Sequence, residues 1–221
     1  MSEKPLPLSE WDRQWEYVTR FFNQTRKPEG FLGKLMVSGM NSGHAKISDW
    51  DMSVLGGITA SAVADLGCGG GRNARELLNR YPQAAITALD YSEVAIEKTQ
   101  KTNRKAIESG RCRVIQGDVS SLPFAEGSFD LATAFETVYF WPGLEKCFSE
   151  VYRVLKPGGF FLICNESDGT DETALKYTEI IDGMRCYTPE QLAGALTAAG
   201  FSEIRTSRHP GMPWIAVLGR K

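Results

Sequence analysis

Histidine is scarce in this chain, cysteines lack pairing patterns, and neither charge sign is in excess; each shortage excludes something. The two histidines, His44 and His209, are far apart and form no ligand-spaced pair, so no metal site is expected. The five cysteines, Cys68, Cys112, Cys147, Cys164 and Cys186, are odd in number and free of C-x-x-C spacing. They read as buried or loop-filling thiols in a reducing compartment, which points to the cytoplasm. A net charge of −2 gives no bulk attraction to nucleic acid or acidic membrane. The N-terminus is polar, without the apolar core of a leader, and no run of apolar residues is long enough to span a bilayer. No internal repeat or low-complexity tract is visible.

What is present is an ordinary globular composition, 42% hydrophobic over 221 residues, enough for one domain with a small appendage. Its most telling stretch is Asp65-Leu66-Gly67-Cys68-Gly69-Gly70-Gly71-Arg72. An apolar run, Ala62-Val63-Ala64, precedes it, and a helical pattern beginning at Asn73 follows. Strand, glycine loop and helix together offer backbone N–H groups and a helix N-terminus to an anion. The spacing is D-x-G-x-G-x-G rather than the dinucleotide G-x-G-x-x-G, whose third glycine would fall at Arg72. An aspartate at the strand end does not help a pyrophosphate. It suits a ligand with both an ammonium and a carboxylate, such as the methionine end of S-adenosylmethionine (SAM): Asp65 attracts the cation directly or through water, while loop N–H groups at Gly67, Cys68, Gly69 and Gly71 face the anion.

The following strands agree. Ala84 to Leu89 ends in Asp90, nineteen residues after Gly71, where a carboxylate grips a ribose hydroxyl pair; the other reading is a solvated turn residue. Tyr91 follows it. A third strand, Arg111 to Ile115, leads to Gln116-Gly117-Asp118-Val119. Asp118 is placed to accept from an adenine amino group, with the Val119 N–H facing a ring nitrogen; the alternative for Asp118 is an Asx-type turn. Leu122-Pro123-Phe124 would close the adenine face. Ser128 to Phe135 is a fourth strand ending at Glu136, Leu144 to Leu155 has a helical period, and Lys156-Pro157-Gly158-Gly159 turns into the apolar run Phe160 to Cys164.

From about Ser61 to Glu166 these stretches, in this order, resemble the core of a class I SAM-dependent methyltransferase of the ubiquinone/menaquinone methyltransferase-like type. The resemblance implies an α/β, Rossmann-like, seven-stranded and mostly parallel sheet with an antiparallel last strand, helices on both faces, and a helical N-terminal cap. It implies SAM at the strands' C-terminal ends, with S-adenosylhomocysteine as product, and a domain over 59–221 preceded by a cap or lid over 1–58. Phe201 to Ser207 and Trp214 to Gly219 would form the final antiparallel pair, after a helix opened by the capping box Thr188-Pro189-Glu190-Gln191.

In the N-terminal region Ser9 is placed to cap a helix carrying Trp11, Trp15, Val18 and Phe22 in one stripe, either packed on the sheet's flank or lying as a lid. A second helical pattern covers Gly30 to Met40, and a polar loop, Met40 to Trp50, holds His44, with Ser48 capping a short helix. His44 is a candidate base, since its ordinary pKa suits proton removal near neutrality. Glu136 and Tyr139 are the other catalytic candidates, with Phe140 and Trp141 shielding the sulfonium; Glu136 also counts among the donor-site residues. Tyr17 and Tyr187 rank below them, and His209 reads as a turn residue. The polar stretch Lys98 to Lys105 fits the exposed face of a helix. Phe135-Glu136-Thr137-Val138-Tyr139 lacks the Asn/Asp-Pro-Pro-Tyr/Phe pattern of amino-methylating DNA enzymes. The expected acceptor is a small molecule, with no nucleic acid or membrane partner, and the chain a monomer or homodimer. A methyltransferase acting on protein or RNA, and a non-catalytic SAM or nucleotide binder, are the alternatives.

Overall fold

The computed structural model describes residues 10–43 and 45–221. Three helices come first: α1 (Glu10–Phe22), α2 (Gly30–Gly43) and α3 (Ala45–Val54). Strands and helices then alternate: β1 (Ala62–Leu66), α4 (Arg72–Arg80), β2 (Ala85–Asp90), α5 (Glu93–Thr102), α6 (Arg104–Glu108), β3 (Cys112–Gln116) and β4 (Phe129–Phe135). They continue with α7 (Leu144–Val154), β5 (Leu155–Asn165), α8 (Glu172–Ile180), α9 (Pro189–Ala198), β6 (Ser202–Arg208) and β7 (Ile215–Arg220). The strands form one seven-stranded sheet in the order β3-β2-β1-β4-β5-β7-β6, with β7 antiparallel to both neighbours. This is the expected Rossmann-like arrangement.

The central strands are apolar along their length because helices cover both faces. On one face Phe148 and Val151 of α7 and Leu192 and Leu196 of α9 pack on Phe161, Ile163 and Val217. On the other, Leu77 and Leu78 of α4, with Leu55 after α3, pack on Val63, Leu131, Leu162 and Ala216. Each such fully buried leucine contributes roughly 1.5–3 kcal/mol. Thr188 and Gln191 form the expected capping box on α9, each side chain accepting from the other's backbone N–H. The strand order reverses between β1 and β4, and the crevice at that switch point is where open α/β sheets bind ligands.

The N-terminal expectations need correcting. The segment read as a polar loop is helical on both sides of His44: α2 runs to Gly43 and α3 starts at Ala45. Ser48 is therefore no cap. It is buried inside α3, and its hydroxyl donates to Asn73 Oδ1 at 2.6 Å. The α1 stripe does not sit on the sheet; Phe22 packs on Tyr177 of α8, with ring centroids 5.5 Å apart, while Trp15 is largely exposed. The expected Ser9 cap and His44 lie outside the described residues. The stretch Lys98 to Lys105 is not uniformly exposed, because Thr99 and Asn103 point inward and are buried. Among the described residues no helix is long and apolar enough to cross a membrane.

Candidate active site

The chain leaves β1 at Leu66 and turns through Gly67 to Gly71 into α4. Gly67 has φ +80°, and a Cβ there would lie 2.1 Å from Thr137 Oγ1, so the loop lies flush against the end of β4. Gly71, at φ +76°, would place a Cβ 2.6 Å from Asn103 Nδ2 and 2.8 Å from Thr99. Three side chains near the end of α5 hold the loop carbonyls. The Thr99 and Thr102 hydroxyls donate to Gly69 and Gly70 oxygens at 2.8 Å, and the Asn103 amide donates to the Gly71 oxygen at 2.9 Å.

Most loop N–H groups are also engaged within the chain. Gly67 and Cys68 both donate to the Leu89 carbonyl (2.8 and 3.0 Å), Gly69 to Asp90 Oδ2 (2.9 Å) and Gly71 to the Cys68 carbonyl (2.9 Å). What is left for an anion is the start of α4. Its N-cap residue is Gly71, so no side chain caps it, and its first turn carries no acid. Arg72 and Asn73 of that turn line the cavity, and Arg72 Nη1 is sealed from solvent without a partner among the described residues.

The cavity, about 270 Å³, is at the small end for small-molecule sites. Of the residues expected from the sequence, Gly67, Cys68, Gly69, Asp90, Tyr91, Asp118, Val119 and Glu136 are on its wall. Asp65, Gly71 and Tyr139 stand behind that wall. Asp65 is 1% exposed; its Oδ1 accepts from the Thr133 hydroxyl at 3.2 Å, and its Oδ2 has no partner among the described residues. Burial pushes its carboxyl up to about 7, the Asp90 charge adds to the rise, and the Thr133 hydroxyl opposes it. Burial raises Asp90 too, against N–H bonds from Ser92, Gly69 and Tyr91. Cys68 is driven well up by burial and by the Asp90 and Asp65 charges, so it is an inert thiol.

At one end of the cavity Asp118 Oδ1 accepts from the Ser120 N–H at 2.7 Å, the Asx-type turn, while the residue stays exposed on the wall. The next loop is clamped by Arg153, whose guanidinium donates to the Phe124 and Leu122 carbonyls (2.7 and 3.0 Å) and to Glu150 (2.8 Å). Over the mouth lies a strap, 24–29, which the sequence did not reveal. The Tyr91 hydroxyl donates to the Arg26 carbonyl, the Ser92 hydroxyl to that of Pro28 (2.9 Å), and on the far side the Arg26 guanidinium donates to the Asp182 carbonyl (3.0 Å).

At the other end Glu136 follows β4 with φ +57°, a left-handed conformation that costs a non-glycine residue about 1–3 kcal/mol. Its N–H donates to the Cys164 carbonyl, and the Tyr139 hydroxyl approaches its Oε2 at 3.4 Å. Its Oε1 is sealed and has no partner among the described residues. Burial drives this carboxyl well above the usual range, and the Glu166 and Asp51 charges push the same way. Burial likewise pushes Tyr139 well up, followed by the Glu136 charge. Asp51 and Asn165, which sequence reasoning missed, are buried nearby. Tyr17 is exposed on α1, Tyr187 packs against the α7–α9 core, and His209 stacks on Trp214 in the β6–β7 turn.

Residues 64–163 match the methyltransferase domain family. Among curated relatives, cycloartenol-C-24-methyltransferase 1 of Oryza sativa subsp. japonica is 37% identical over 101 residues, which are 46% of this chain and 29% of that protein. Its counterparts behave alike: a sterol 24-C-methyltransferase of Eremothecium gossypii is 30% identical over 172 residues, 72% of this chain and 46% of its own. The chain thus spans less than half the length of these curated relatives. Among solved structures, a SAM dependent methyltransferase from Aquifex aeolicus superposes with TM-score 0.67 at 16% identity, covering 85% of this chain and 97% of that one.

Proposed function

Because residues 64–163 carry a class I SAM-dependent methyltransferase core, we propose that this chain methylates a small-molecule acceptor with SAM as donor. The observation that carries the reading is one cavity flanked by a buried carboxylate oxygen without a partner, an uncapped helix start, and the carboxylate ending β2. An amino-acid end fits that set: Asp65 faces the ammonium from behind the wall, and Arg72 with the α4 N-terminus meets the carboxylate. Asp90 retains lone pairs for the ribose hydroxyls, and Asp118 with Val119 borders the base.

When bound, SAM supplies a sulfonium-activated methyl group. The protein's task is alignment, which accounts for on the order of 7–11 kcal/mol of barrier in well-oriented reactions. The glycine loop, fixed from behind by α5, sets the donor's position. Glu136 and Tyr139, at the end of β4, hold the acceptor and take its proton; His44 is a further base candidate. Phe140 and Trp141 line the same end and present π faces. The sterol named in the relatives is not transferred, since what is shared is the donor-binding core.

The test is calorimetric titration with S-adenosylhomocysteine, together with transfer of labelled methyl from SAM to a cell extract. Asp90→Ala is expected to weaken binding at least tenfold, and label is expected in the small-molecule fraction. Unchanged affinity sinks the site assignment; label confined to precipitated protein or RNA sinks the acceptor class.

A further inference from the structure

Behind the Glu136 end of the cavity, acids gather without a counter-ion. Asp51 of α3 is 1% exposed, and its Oδ1 has no partner among the described residues. The charges that act on Glu136 are those of Glu166 and Asp51, both negative. Asn165 is the independent sign that a ligand belongs here. It is fully buried at the end of β5, and both its amide oxygen and its amide nitrogen lack partners among the described residues. Its neighbours in sequence both touch Glu136: the Cys164 carbonyl accepts the Glu136 N–H at 2.9 Å, and the Glu166 backbone reaches the carboxyl. Ser167 then donates its N–H to the Tyr139 hydroxyl at 3.1 Å. Residues 164–167 therefore wrap around the Glu136–Tyr139 pair, with Asn165 at the centre.

A fully buried amide with four unmet hydrogen bonds is costly unless something occupies the space beside it. The open valences of the cluster are mostly acceptors: one oxygen each on Glu136, Asp51 and Asn165. A neutral hydroxyl brings one proton and no charge. An ammonium brings several N–H donors and the positive charge that desolvated carboxylates lack. The aromatic rings of Tyr139, Phe140 and Trp141 in the same segment favour a cation further.

We infer that the acceptor is an amine, seated as its ammonium between Glu136 and Asn165 with Asp51 behind. This rests on the methyltransferase reading above. The ammonium gives one proton to the Glu136 carboxylate. The freed nitrogen lone pair forms the new C–N bond as the methyl carbon–sulfur bond breaks, its electron pair remaining on sulfur. The methylated amine carries the positive charge out.

Protein saturated with S-adenosylhomocysteine, whose sulfur is neutral, is titrated with n-hexylamine, n-hexanol and hexanoate as probes. Hexylamine is expected to bind at least tenfold more tightly than either other probe. Glu136→Gln and Asn165→Leu are each expected to reduce that preference at least fivefold while S-adenosylhomocysteine still binds, which shows that the variants fold. Equal binding of amine and alcohol, including no detectable binding of either, overturns the amine assignment. So does a Glu136-dependent preference of tenfold or more for SAM over S-adenosylhomocysteine, which would give the seat to the sulfonium. Failure of S-adenosylhomocysteine itself to bind would refute the methyltransferase reading instead, so the two are separable.

Discussion

Lowering the pH from 8 to 6 is expected to weaken S-adenosylhomocysteine binding about eightfold through Asp65, and the size follows from the structure and linkage. In the ligand-free chain the Asp65 carboxyl titrates at about 7 because it is buried with one open oxygen. A ligand ammonium about 7 Å away, acting through an effective dielectric of about 20, stabilises the ionised form by about 2.4 kcal/mol, or about 1.7 pKa units. The bound-state carboxyl then titrates near about 5.3, so binding requires deprotonation across the interval between the two values and releases about half a proton at pH 7. Affinity is nearly full at pH 8 and falls as the pH drops through 7. Calorimetry in buffers of different ionisation enthalpy measures both the affinity and the proton count. The ligand's own amine titrates alike with wild type and Asp65→Asn, so the ratio of their affinities isolates Asp65. A wild-type change below twofold after that correction, or an equal slope in the variant, refutes the argument. The sign for stability is opposite. A carboxyl raised by folding costs stability as pH rises from about 3.8 to about 7, so Asp65→Asn should melt higher than wild type at pH 8 without ligand.

Two further perturbations address the scaffold of the site. Gly67→Ala should cost at least about 2 kcal/mol in chemical denaturation, because the left-handed φ and the 2.1 Å approach to Thr137 act together; a wild-type midpoint would contradict the close packing of loop and strand. Arg153→Ala leaves two carbonyls and Glu150 without their donor, and should cost about 1–2 kcal/mol given the partial exposure of the pair. A few-fold loss of S-adenosylhomocysteine affinity should accompany it as the loop after β3 loosens, and unaltered melting and binding would show the clamp to be idle.

The parts of this molecule written in short-range patterns were readable in advance. The glycine loop, Asp90 at a strand end and the Thr188–Gln191 box each depend on neighbours within a few residues or on a fixed strand–helix–strand spacing. Ser48 shows the opposite case: a serine before an acid has the local look of a cap, yet its hydroxyl is committed to Asn73, 25 residues away. Thr99, Thr102 and Asn103 fall at i, i+3 and i+4, a polar stripe on one helix face, and the sequence alone does not say that this stripe turns inward to the glycine loop. Asp51 and Asn165 could not be placed because each derives its meaning from the end of β4, reached only after the sheet is assembled. The strap was hidden for the same reason, its hold being on carbonyls rather than on any distinctive side chain.

The attachment of the loop to α5 has a consequence for association itself. With the oxygens of Gly69, Gly70 and Gly71 occupied from behind, the peptide planes cannot flip, and the ordering of the loop is completed during folding rather than at ligand arrival. The donor therefore meets a surface whose shape and dipoles are already fixed, and little conformational entropy is left to lose there. Any slow step in its capture falls instead to the strap over the mouth, which must part from Tyr91, Ser92 and Asp182 before the crevice opens.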